Sequence, residues 1–270
     1  MATLKDTLEA RGRDLRESVT NAGFTVSLLL QSLRLFFVDL RHRRRFILDQ
    51  LAVCGISPLP VVCVVGLFTG MLLALQIGME LSRHGQSEAI STMIGLIQFR
   101  EMGPFMTAMI LTASVGSAMA AELGTMRVSE EIDALECMSI NTTSFLVMPR
   151  IVAMTIMTPL LTFIGCILGC VGGGLVANTQ LSVSPAVYAR NLLASLQAEP
   201  NQLGPLPEEI YTGLIKAAIF GALIATVSCA TGLKASGGAI GVGRAVRSAV
   251  VRCFLMLIII GYYISWIFFR

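Results

Sequence analysis

Residues 51–79 read LAVCGISPLPVVCVVGLFTGMLLALQIGM, and none of them carries a charge. A helix crosses the roughly 30 Å hydrocarbon core of a bilayer with about 20 apolar residues. This stretch is therefore a membrane span with residues to spare. Residues 102–121 and 151–189 are also free of charge, and the second run holds one span plus a polar connection starting near Asn178. Two shorter runs, 217–233 and 253–269, reach full length by taking in flanking residues whose cationic side chains can snorkel to the interface. Five spans are expected, at about 51–79, 89–121, 151–178, 211–233 and 247–269.

The rest of the chain agrees. Of 270 residues, 54% are apolar and 14% charged. A soluble domain carries about 25% charged residues. Mean hydropathy is +0.75. A net charge of +3 is too small for a nucleic-acid partner. The seven cysteines form no C-x-x-C pair and sit in or beside apolar runs, so they read as packing residues rather than metal ligands or disulfides. Residues 1–23 are polar, with no signal-peptide pattern.

Sidedness follows from Lys and Arg, which collect in cytoplasmic segments. With a cytoplasmic N-terminus, the segments 1–50, 122–150 and 234–252 hold 15 of the 20 Lys and Arg. The run Arg41, Arg43, Arg44 and Arg45 anchors the first span. Five spans then place the C-terminus on the opposite side, which is the periplasm if the membrane is a bacterial inner membrane. Ahead of the first span, Leu29, Leu33, Phe36, Phe37 and Leu40 form one helical stripe. This predicts an amphipathic interfacial helix over 24–46. The alternative is a short sixth span, which Arg34 and Asp39 oppose. The fold class expected is an all-α integral membrane protein of one domain, with an interfacial helix and five transmembrane helices.

The second span is unusual. Arg100-Glu101-Met102-Gly103-Pro104 interrupts its apolar pattern. A charge at the bilayer centre costs roughly 2.5–3.5 kcal/mol on insertion scales, so such residues face a cavity or a partner. Neighbours on a helix point about 100° apart, so Arg100 and Glu101 need separate partners. Either the pair lines a substrate path, or Gly103-Pro104 breaks the helix and the pair anchors an interface. Small residues four apart (Gly116, Ala120, Gly124; Ala113, Ser117, Ala121; Gly165, Gly169, Gly173) allow close helix contact, within one subunit or between two.

Residues 122–138 form an acidic segment on the cytoplasmic side. Ser129 is placed to cap a short helix with Glu130 and Glu131 in its first turn. Val128, Ile132 and Leu135 mark one face, and Glu130, Asp133 and Glu136 the other. Such a helix suits docking of a soluble partner or rests on the membrane, and its acidity disfavours the latter. The Asn141-Thr142-Thr143 sequon falls in this cytoplasmic region and is discounted. Residues 178–211, with four prolines and three glutamates, lie outside the cytoplasm and act as a connector or a contact for a periplasmic partner.

Arg100-Glu101-Met102-Gly103-Pro104, Ala121-Glu122-Leu123-Gly124-Thr125-Met126-Arg127, Glu130-Glu131-Ile132-Asp133-Ala134-Leu135 and Pro149-Arg150 closely resemble the MlaE/YrbE family. These are permease subunits of ABC transporters that work with MCE proteins. The resemblance covers roughly residues 25–269. It implies a homodimer of five-span subunits in the bacterial inner membrane, moving phospholipid between inner and outer membranes and so maintaining outer-membrane lipid asymmetry. It implies a cytoplasmic ATPase, which binds ATP and Mg2+, docked on about 122–138 through Glu122, Gly124, Arg127, Glu130, Glu131 and Asp133. It implies a periplasmic MCE-domain protein and a small STAS-domain protein as further partners. Arg100, Glu101 and Arg244 match the family's substrate-path residues, and a Glu101–Arg244 pairing is the expectation. Many family members carry an acid in the last span. Here Gly261-Tyr262-Tyr263 occupies that region, so the contact is absent or replaced.

No phosphate-cradling G-x-x-x-x-G-K-[ST] loop occurs, so the chain is expected to be non-catalytic, with no cofactor or metal of its own. A secondary transporter using Glu101 as its proton site is a second reading. The lack of a visible internal repeat disfavours it. A lipid-modifying enzyme would need convergent catalytic groups, and no histidine lies in any span.

Overall fold

The computed structural model describes residues 44–85, 89–181, 183–195 and 208–268, together with helical positions 23, 25, 27, 28, 30 and 31. The stripe Leu29 to Leu40 expected to form the interfacial helix lies outside the described residues. So do Glu199, Pro200, Pro205 and Pro207.

Every regular element among the described residues is helical. Helix α1 (Arg44–Ile56) meets α2 (Leu59–Arg83) at Ser57-Pro58. Pro60 stands in the first turn of α2, where its missing N–H costs nothing. The long helix α3 (Ile90–Val128) is followed by the short α4 (Glu131–Cys137). Then come α5 (Thr143–Gln180), α6 (Pro185–Ser195), α7 (Glu208–Gly232) and α8 (Gly238–Phe268). Five helical stretches are long and apolar enough to span: Phe46–Arg83, α3, α5, α7 and α8. They answer to the five expected runs, each extended by several residues into polar flanks.

Glycines set the close approaches. A Cβ on Gly66 would lie 2.6 Å from the Gly165 carbonyl oxygen, and one on Gly70 would overlap the Gly169 backbone. The stripe Gly165, Gly169, Gly173 thus carries α2 against α5, as small residues do where hydrophobic exclusion cannot drive association. Gly116 faces Ile224 and Ser228 of α7, and Gly124 faces Ala235 and Val242. That stripe serves packing within the subunit. The other one, Ala113, Ser117 and Ala121, is exposed or half-buried.

Helix α7 is the central element. Most of it is buried, whereas α8 and α2 turn large apolar side chains outward. Val251, Leu255, Ile258 and Tyr262 on α8 and Val61, Val64, Phe68 and Leu72 on α2 are exposed. Outward Leu, Ile, Val and Phe are the expected surface of a protein solvated by lipid.

One alternative left open is decided and one local expectation is corrected. Gly103-Pro104 does not break the second span: α3 runs on through a π-helical turn at Gln98–Met102 and another at Thr112–Gly116. The Gly103 amide reaches back to the Gln98 carbonyl, and Pro104 opens the next α-helical segment. The wide turn takes up the bond and the space that a proline denies to an ordinary helix. Secondly, Ser129 does not cap the short helix that follows it. Glu122 to Val128 complete α3, where the Ser129 Oγ turns back to the Thr125 carbonyl at 3.0 Å. Glu130 then adopts a left-handed conformation (φ 62°), and α4 starts without a side-chain cap.

Candidate functional site

Glu101 sits within the first π turn of α3, eleven residues from its start. At 1.5 Å per residue this is about 16 Å into a helix of 39 residues. π turns concentrate at functional positions because they redirect side chains without ending the helix. Here the turn also packs tightly. A Cβ on Gly103 would strike the Cys166 Sγ and lie 2.7 Å from the Gln98 carbonyl oxygen, and one on Gly213 of α7 would overlap the Phe99 carbonyl oxygen. Glycine at both places lets α5 and α7 press against the turn.

This contact brings α7 within reach of Glu101. The Lys216 ammonium donates to Glu101 Oε2 at 2.7 Å and to Ser265 Oγ of α8 at 2.6 Å. Ser265 Oγ in turn donates to Glu101 Oε1 at 2.7 Å. Three helices therefore meet in a closed polar triangle. The Lys216 side chain is 4% exposed, while that of Glu101 is 41% exposed. The cation is sealed by protein and the carboxylate keeps one open side. A buried ion pair is tolerable only when hydrogen bonds occupy its remaining valences, and the Ser265 hydroxyl serves that purpose.

The expected Glu101–Arg244 pairing is overturned. Arg244 lies exposed in the second turn of α8, and Ser265, which does touch Glu101, is 21 residues further along the same helix. That separation is about 30 Å. Arg100 is half-buried beside Glu101 on a different face of α3. Lys216 was absent from the expected site because it read as a snorkelling flank of the fourth span. The signal available in sequence is its place: a lone cation in one span while another span holds a carboxylate to answer. In the last span the polar contact comes from Ser265.

A second charged cluster stands at the other end of α3. Arg150 at the start of α5 donates through Nη2 to Glu122 Oε2 at 2.8 Å. The Arg150 side chain is 9% exposed, and its Nη1 has no hydrogen-bond partner among the described residues. Arg127 pairs with Asp133 of α4. Glu131, Asp133 and Glu136 face out from α4, and Ile132 is buried beneath it. Of the residues expected to dock an ATPase, Glu130 and Glu131 are exposed, Glu122 answers Arg150, and Gly124 is buried as a packing contact. All seven cysteines are free thiols.

The family model described as Permease MlaE matches residues 47–267. A probable ABC transporter permease protein of Rickettsia bellii is 37% identical over 224 residues, 83% of each chain. One of Synechocystis is 31% identical over 230 residues, 85% of this chain and 84% of that one. The chloroplastic protein Trigalactosyldiacylglycerol 1 of Arabidopsis thaliana is 32% identical over 248 residues, 92% of this chain and 68% of that protein. The match takes in all five spans, both charged clusters and α4, and the chain belongs to the MlaE family of ABC transporter permeases.

Proposed function

We propose that this permease moves phospholipid between the inner and outer membranes of a bacterium, working as a homodimer and maintaining outer-membrane lipid asymmetry. The observation that supports this reading best is the Lys216–Glu101–Ser265 triangle. A phospholipid phosphate is an anion that competes with Glu101 for the ammonium, while an amine headgroup competes with Lys216 for the carboxylate. A headgroup can thus exchange with either member of a pair that is otherwise satisfied, and the open side of Glu101 is where it enters. Arg100, next to this side, and Arg244, at the far end of α8, are the other proposed contacts along the route. The name of the chloroplast relative, which contains a diacylglycerol lipid, is in keeping with lipid cargo. The outward stripe Ala113, Ser117 and Ala121 suits close contact with a second copy.

Energy comes from a separate ATPase, which binds ATP and Mg2+ and docks on α4 and the adjoining end of α3. The segment 178–211 faces a periplasmic MCE-domain protein, and a STAS-domain protein is a further partner of the ATPase. In this reading the membrane is the bacterial inner membrane, with the N-terminus cytoplasmic.

The test is ATP-driven transfer of labelled phospholipid by liposomes holding the permease with its ATPase. Lys216→Met and Glu101→Lys are each expected to lower transfer at least ten-fold, the second by placing two cations together. Unchanged transfer in both variants removes the triangle from the mechanism. Transfer without ATP by the chain alone would instead favour an ion-coupled carrier. Glu131→Lys, on the exposed face of α4, is expected to lower ATPase co-purification, and an unchanged yield counts against docking there.

A further inference from the structure

Helix α6 has eleven residues and is about 16 Å long, too short to cross the membrane. It does not lie clear of the bundle. The Tyr188 hydroxyl donates to the Cys170 carbonyl at 2.9 Å, ten residues before the end of α5. Helix α6 therefore runs beside the last three turns of α5. Below it is a cavity of about 330 Å³, lined by Phe99, Ile167, Val171, Gly174, Ala189 and Leu192. The walls are carbon, since Tyr188 at the edge spends its hydroxyl on the Cys170 carbonyl. Gly174 keeps the space open: a Cβ there would come within 3.1 Å of the Tyr188 ring.

The cavity opens on a face that is built for hydrocarbon. Ile156, Leu160, Phe163, Ile167, Val171 and Leu175 recur at helical spacing along α5 and are all exposed. Ile167 and Val171 belong both to this stripe and to the cavity wall. The small residues of α5, Gly165, Gly169, Gly172 and Gly173, face α2 or the interior. Helices associate in lipid through small residues, so the outward face of α5 is poorly made for a second helix and well made for lipid.

We infer that the groove between α5 and α6 holds one acyl chain of a lipid in the leaflet on the α6 side, with its end against Phe99, one residue from Arg100. The aromatic floor, where the Phe99 and Phe163 rings stand 6.3 Å apart, stops the chain at the depth of the π turn. Water exclusion gives no gain inside a bilayer, so the chain is held by the fit of the walls. The site stands whether the lipid is cargo or resident.

Photo-crosslinking in lipid nanodiscs tests this, using a phosphatidylcholine with a diazirine near the end of one acyl chain. Adducts per residue in 163–175 and 185–195 are expected to exceed those on the α2 stripe at least five-fold. Ala189→Trp, filling the groove from its exposed wall, is expected to remove this excess and leave the α2 adducts unchanged. Val171→Trp fills it from the opposite wall, and the wild-type ratio decides the matter even if neither variant assembles. Equal labelling of the two faces is ordinary surrounding lipid and overturns the site. Labelling of α2 with none at 163–175 and 185–195 means that protein covers this face, and overturns it as well.

Discussion

The two ends of α3 carry the same motif in different settings. Glu101 in the first π turn and Glu122 near the loop end are 21 residues apart on one helix, and each meets a buried cation from another helix. At the first, Lys216 gives its protons to a carboxylate and a hydroxyl, and the hydroxyl closes back on the carboxylate. At the second, Arg150 bonds a carboxylate that is 57% exposed, and one of its guanidinium nitrogens has no partner among the described residues. The difference lies in a third partner: Ser265 bridges cation and carboxylate at the first cluster, whereas the second is one contact between two side chains. The first cluster is thus a closed object that something must open, and the second is a tie between α3 and α5 across the base of the α4 loop.

The largest expected effect tests the closed cluster. Glu101→Leu leaves the Lys216 ammonium sealed without a counter-charge, at a cost of about 3–5 kcal/mol. This is read as a lower melting temperature in detergent and a lower yield in membranes. Adding Lys216→Met to it is expected to restore most of the stability and none of the lipid transfer. A Glu101→Leu penalty no larger than that of Glu122→Leu would erase the contrast between the two ends. Glu122→Leu itself is expected to cost about 1–3 kcal/mol, since it strips the guanidinium of its anion but leaves water near. Ser265→Ala removes one neutral bridge and is expected to cost about 1 kcal/mol, with Lys216 still on Glu101. A larger loss would show that the hydroxyl, rather than the ion pair, holds α8 in place. Smallest of all is Arg127→Ala, which breaks an exposed pair with Asp133 worth about 0.2–1 kcal/mol. Its effect is expected to shrink in high salt, and a salt-independent loss would mean that the pair orders α4 beyond its own energy.

The spans were legible because lipid enforces a local rule. A segment such as 51–79 must satisfy its backbone internally and present carbon outward, so its own residues suffice to name it. Arg100 and Glu101 also announced themselves, being costly where they stand. The π turn was not legible. Gly103-Pro104 allows a break as readily as a widened turn, and the choice rests on Cys166 and Gly213 pressing in from other helices. Ser129 looked like the start of a helix and proved to be the end of one, because its hydroxyl found the Thr125 carbonyl behind it before any amide ahead.

Sequence alone determined five membrane helices, a carboxylate within the second of them and the resemblance carried by 100–150. Only the tertiary structure decided which cation answers Glu101. Lys216 lies 115 positions away and Ser265 lies 164 away. Hydropathy is a property of each helix by itself, and it fixes how deep a residue sits but not which way it points. The direction is set by rotation and close approach of whole helices, which depend on Gly103 and Gly213 having no side chain. Arg244 matched the right chemistry on the right helix and still sits about 30 Å from the carboxylate, because distance along a rigid helix cannot be shortened by a side chain.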